Sequence, residues 1–219
     1  MALIPILKIK KFVDLLLAFI KVDYDNAVDK EDSFLFRVLG DEQDEGWNFY
    51  ENAIEIFTRS GSDNRKLETR LMFDRSRAGM PTIHIREPAK NKGKTDSIGF
   101  LGDDYFINPD DSVSDTVRKS FSSKFELMIT SGNSLECVMI QEVIESAMLA
   151  SYETLTFPWF DLIDWTSREL MINDELERSG LFIRSIGLNI DYVKSNIPKL
   201  YTEKNITIIK FETPTLLES

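Results

Sequence analysis

Residues 123–130, "SKFELMIT", run directly into residues 131–155, "SGNSLECVMIQEVIESAMLASYETL". The first segment reads as a strand and the second as the best helix of the chain, so the class is α+β if other strands accompany the first. Asn133 is placed to cap the helix, and Glu136 falls at its third position, as in a capping box. Leu135, Val138, Met139, Ile144, Met148 and Tyr152 supply its apolar faces.

Upstream, "MPTIHIREP" at 80–88 holds the single histidine of the chain. In a strand over "PTIHIRE", Ile83 and Ile85 point one way and Thr82, His84 and Arg86 the other. His84 therefore reads as a half-exposed strand residue. "LETRLMF" at 67–73 puts Leu67, Thr69, Leu71 and Phe73 on one face of a preceding strand. Between the two central strands, 88–115 carries Pro88, Gly93, Gly99, Gly102 and Pro109. It reads as a long, mobile polar connection.

Toward the N-terminus, Ile6, Ile9, Val13, Leu16, Leu17 and Ile20 recur at helical spacing over 6–22. The apolar run Phe12–Ile20 is interrupted by Asp14 and ended by Lys21 and Asp23. It is about half the ~20 residues needed to span a bilayer, so an amphipathic helix is expected and no membrane association. "FLFRVL" at 34–39 is ambiguous, "GDEQDEG" at 40–46 is an acidic turn, and 47–59 resumes helical spacing. Downstream, "TFPWFDLIDW" at 156–165 reads as an aromatic-rich linker, in which Pro158 prevents simple continuation of the helix. "LFIRSIGLNIDYV" at 181–193 and "NITIIKFET" at 205–213 read as two more strands. No repeat and no long linker divides the chain, and residues 1–219 are expected to form a single domain.

The chain has 219 residues, 37 acidic and 26 basic, a formal net charge of −11, and one cysteine, Cys137. An acidic protein repels phosphate, which disfavours a basic nucleic-acid groove without excluding DNA that passes by. A single cysteine allows no internal disulfide and no multi-cysteine zinc site.

The chemistry-bearing candidates are few. His84 would have to be the base of any triad, and no G-x-S-x-G elbow supplies a serine. Cys137 lies within the helix, where a lone cysteine is usually a small core residue. "GDDYFINPDDSVSD" at 102–115 could attract a hard cation, but it lacks the turn glycine and closing glutamate of a calcium loop. Neither phosphate-binding nor dinucleotide glycine motifs occur. No catalytic residue, cofactor or metal is therefore assigned. Lys90, Lys92 and Lys94 form the one local basic spot, which could meet phosphates or an acidic partner or be a solvated loop tip. Phe157, Trp159, Phe160 and Trp165 are residue types that anchor interfaces and also close cores.

The order of elements says more than any motif. An N-terminal helix is followed by the "MPTIHIREP" strand, a polar loop, "FELMITSGNSLECVMIQEVIESAM", a linker, the "FIRSIGLNIDY" strand and a last strand. This order resembles that of the neck and tail-terminator (tail-completion) proteins of tailed bacteriophages, over residues 65–212. Pro81, Ile83 and Ile85 match the first segment of that pattern. Asn133 and Glu136 match the second, and Phe182, Arg184, Ile186 and Leu188 the third. The acidic stretches at 40–46 and 103–115 depart from it.

The resemblance implies a mixed, mostly antiparallel sheet flanked by helices. It implies a homo-oligomeric ring, often sixfold, at the virion head–tail junction. The ring would assemble in the host cytoplasm with other neck, portal-adaptor or tail-tube proteins. DNA would pass through its lumen unbound and no enzymatic chemistry would be required. The alternatives are a metal-dependent enzyme using the acidic loop 103–115, and a monomeric binding module using the aromatic linker.

Overall fold

The computed structural model describes residues 5–40, 42–44, 46–58, 65–72, 81–92, 103–107, 113–151, 161–169 and 180–198. The elements in chain order are α1 (Pro5–Asn26), a 3-10 turn (Lys30–Asp32), α2 (Phe34–Leu39), β1 (Gln43–Asp44), β2 (Trp47–Asn48), α3 (Phe49–Thr58), β3 (Glu68–Leu71), β4 (Thr82–Lys92), β5 (Asp103–Ile107), β6 (Val113–Ser131), α4 (Ser134–Ser151), β7 (Asp161–Glu169) and β8 (Phe182–Pro198). The fold is α+β, as the residue pattern and the resemblance lead one to expect.

The main sheet runs in the order β3-β4-β6-β8-β7, and β5 pairs with β6 off this path. Only β3 and β4 are parallel; the other pairings are antiparallel. β6 is the spine. Its 19 residues span about 60 Å at ~3.3 Å per residue. β4 pairs with it from Phe121 to Thr130, and β5 continues along the same side over Val113–Val117.

The helices cover the face dictated by strand alternation. Ile83, Ile129 and Arg184 form one cross-strand row, Ile85, Leu127 and Ile186 the next, and Phe125, Leu188 and Trp165 a third. Ile83, Ile85, Phe125, Leu127, Ile129, Ile186 and Leu188 are all buried. Each such side chain contributes ~1.5–3 kcal/mol relative to exposure. α4 packs on β6 and β8 and also meets α1, α2 and α3. That double contact explains why it buries Cys137, Ile140, Val143 and Ala147 in addition to Met139, Ile144 and Met148. α1 lies over β3 and β4 and buries Ile9, Phe12, Val13, Leu16 and Ile20.

Two expectations are corrected, and one ambiguity is resolved. Residues 88–115 were expected as a loop, but 88–92 continue β4, 103–107 are β5 and 113–115 begin β6. The polar sequence there hides strands whose backbone pairs with β6, or, for the start of β6, with β5. Residues 161–165 of the expected aromatic linker belong to β7, recruited by β8. The ambiguous 34–39 is the helix α2. Ser33 caps its start, accepting from the Phe36 N–H, and Gly40 ends it with φ 53°, its N–H on the Phe36 carbonyl. The strand expected over 205–213 lies outside the described residues. Among those described, no helix is long and apolar enough to cross a membrane.

Candidate functional site

Among the described residues, three places combine polar side chains with burial or a cleft. The first is the sheet face opposite the helices. Alternation turns Glu126 of β6 away from the core between Phe125 and Leu127, and register sets it beside Arg86 of β4 and Gly187 of β8. Glu126 is only 3% exposed. One carboxylate oxygen accepts from Arg168 Nη2 at 2.7 Å and the other pairs with the Arg86 guanidinium. Burial works against its charged form. The hydrogen bonds from Arg168, Arg86 and Ser185, with the Arg86 charge, outweigh burial and hold the carboxyl below its ordinary range.

His84 lies one row away, paired in register with Arg70 and Met128. Partial burial and the nearby Arg70 charge lower its pKa, so the imidazole is neutral at pH 7. It is half-buried, as its place on the polar face of β4 led one to expect. Arg70 itself is held by Glu68, at 2.9 Å from Nε and 2.7 Å from Nη2. The cluster sets two arginines against the one Glu126 carboxylate and ties β4, β6, β7 and β8 together.

The second place is the N-terminus of α4. The Asn133 side chain accepts from the Leu135 N–H at 2.9 Å, the expected cap. The expected capping box is relayed. The Ser131 hydroxyl donates to Glu136 and accepts from the Asn133 N–H at 3.1 Å, while Arg65 Nη2 donates to Glu136 at 2.9 Å. Cys137 follows in the same helix. Burial, and then the adjacent Glu136 charge, push its thiol up to about 12. It is a core residue, as expected, with no accessible thiolate at neutral pH.

The third place is an open cleft of about 530 Å³ between α1, the end of α3 and the outer side of β3. Ile56, Phe57 and Leu67 are buried apolar residues along it; Leu17 and Ala18 of α1 also line it. Lys21 and Lys66 stand at its rim, and neither has an ion-pair partner among the described residues. Lys10 of α1 donates to Asp14 at 2.8 Å and to Thr69 at 3.0 Å, fastening the helix to β3 beside the cleft.

The residues singled out from sequence are dispersed. Trp165 lies in β7 on the helix-covered face, half-buried against the core and opposite Leu188. Phe157, Trp159 and Phe160 lie outside the described residues. Lys90 and Lys92 belong to β4, opposite Ser123 and Phe121, and Lys94 lies outside. Of the acidic stretch 103–115, Asp103 and Asp104 are in β5 and Asp115 in β6. Among the described residues no group of three or more His, Cys, Asp and Glu is placed to hold a metal.

Sequence reasoning missed the Glu126 cluster and the cleft. Alternation in "KFELMI" gave the side on which Glu126 falls, but its arginines come from strands 40 and 42 residues away. Compared with known proteins, the chain matches no family model and no curated protein.

Proposed function

We propose that the protein is a structural, non-enzymatic virion subunit of a tailed phage. It joins a ring at the head–tail junction, as a neck or tail-terminator component, and DNA passes through the lumen of that ring. The observation that carries this reading is the order of elements around the sheet. A long N-terminal helix comes first, then the Ile83–Ile85 strand. The β6 strand turns through a capped start into α4, and the Arg184 strand β8 completes the centre of the sheet. This is the order on which the resemblance to neck and tail-terminator proteins rests. Two physical features support it. A net charge of −11 disfavours adhesion to a passing polyphosphate. Among the described residues of the open sheet face, Glu126 is engaged with Arg86 and Arg168, and Arg70 with Glu68, in a bracing network.

The test is to image particles made in cells that encode the chain, with and without it. Its loss is expected to leave filled heads without tails, or tails of wrong length. The substitution Trp159→Ala is expected to reproduce part of that defect if the aromatic segment anchors a contact between subunits. Normal virions made without the chain would refute the reading.

A further inference from the structure

The sheet ends on one side in β3 and on the other in β7, and no described strand lies outside either. At β3 the N–H groups of Glu68 and Met72 turn inward to the Pro81 and Ile85 carbonyls. Alternation therefore turns Thr69 and Leu71 to the outer edge, where the cleft lies. The start of that edge is already occupied, because the Leu67 N–H reaches the Ile56 carbonyl.

Strand directions decide how such an edge could be extended. β3 runs with β4, and β4, β6, β8 and β7 alternate. β7 thus runs opposite to β3. A second copy that continues the sheet in the same sense brings its β7 antiparallel to β3, the more stable pairing. It also keeps both helical layers on one side. α4 is the helix nearest β7, since Ser167 of β7 donates to Glu145 of α4. α1 is the helix nearest β3, through Asp14 and Thr69. Continuing the sheet sets the neighbour's α4 beside α1.

The two helix faces that would meet are complementary. α1 carries a second apolar stripe next to its core face. Leu7, Leu15, Phe19 and Val22 are 42–54% exposed and fall within about a third of the helix circumference at 3.6 residues per turn. The stripe adjoins the cleft through Ala18. Lys8 and Lys11 fall within the same arc and interrupt it, and Lys21 stands at the cleft side. The outer side of α4 bears Glu142, Glu145 and the exposed Leu149, and α4 contains no lysine or arginine. In a chain of net charge −11, copies repel unless a basic surface meets an acidic one.

We propose that the cleft beside β3 and the exposed stripe of α1 form one half of a head-to-tail contact between copies of this chain. The other half is the outer edge of β7 with the Glu142–Leu149 side of α4. Such a contact is heterologous, so it builds a ring if the rotation closes. The inference rests on the proposed ring function for its biological sense, but its test does not.

Two variants each block one half at an exposed position: Phe19→Asp on α1 and Leu149→Asp on α4. Sedimentation velocity is run on the full chain up to about 1 mM, with circular dichroism to verify folding. The unmodified chain is expected to associate beyond a dimer, and each variant alone to lose at least about tenfold in affinity. Mixed together, the variants are expected to form a dimer that grows no further, because each supplies the half that the other retains. A chain that stays monomeric throughout overturns the proposal. So does a dimer that ends growth in the unmodified chain, or a mixture no more associated than its parts. If the interface behaves as expected and virions lack the chain, the functional reading fails alone. If virions contain the chain at the junction and both variants assemble normally, the interface fails alone.

Discussion

Glu126→Gln tests whether the open sheet face is braced by charge. The substitution keeps the shape of the side chain but removes the charge that faces Arg86 and Arg168. Truncating a fully buried pair costs ~3–5 kcal/mol, and an exposed pair is worth only ~0–1. Glu126 is buried, but the Arg86 and Arg168 side chains are 36% and 63% exposed, so water screens both partners. A loss of about 2 kcal/mol at pH 7 is expected, or about 4–8 °C in Tm for a domain of this size. The dependence on pH is the sharper readout. The folded-state pKa of Glu126 is depressed, so its contribution is complete above the ordinary carboxylate pKa of ~4.3. That contribution fades as pH falls through the depressed folded value. Urea unfolding of both proteins from pH 7 to pH 3 should show the difference shrinking only at the acid end. A difference below about 0.5 kcal/mol at pH 7, or one unchanged by acid, refutes the charge account.

Two further outcomes follow from the polar groups around α4. The Cys137 thiol, pushed up to about 12, should react with a disulfide reagent at pH 8 about a thousandfold more slowly in the folded chain than in urea; comparable rates would place the thiol at the surface. Asn133→Ala should cost about 1 kcal/mol as a lost cap, and Ser131→Ala about 2, because it strands both the Asn133 N–H and a buried Glu136 oxygen. Equilibrium denaturation that reverses this order would show that the relay through Ser131 contributes little.

The legible parts of the fold were those whose own side chains report their surroundings. Ile83 and Ile85 alternate with Thr82, His84 and Arg86 because one face of β4 meets the helices. The start of α4 was legible because a cap is a local hydrogen bond, here between Asn133 and Leu135. β7 was not legible. Its residues "DLIDWTSRE" mix charge and apolar character on a strand at the end of the sheet, and β8 supplies its pairing. The first half of β6 was hidden for the same reason, since "VSDTVRKS" owes its extension to β5 and β8.

The same distinction governs the candidate sites. A site made by one segment, such as a glycine loop or a calcium loop, is readable before the fold is known. The Glu126 cluster draws on β4, β6, β7 and β8, and the cleft on α1, α3 and β3. Neither has a local signature, because register and packing create it. Strand alternation fixes only which side of the sheet Glu126 occupies. The antiparallel registers Arg86↔Glu126 and Ser185↔Arg168 then bring two cations within reach of one carboxylate. A shift of either pairing by one residue would turn the arginine toward the helices and leave Glu126 buried without it. The cluster thus penalises misregistered sheets more strongly than it stabilises the native one, which fits a role in setting strand register.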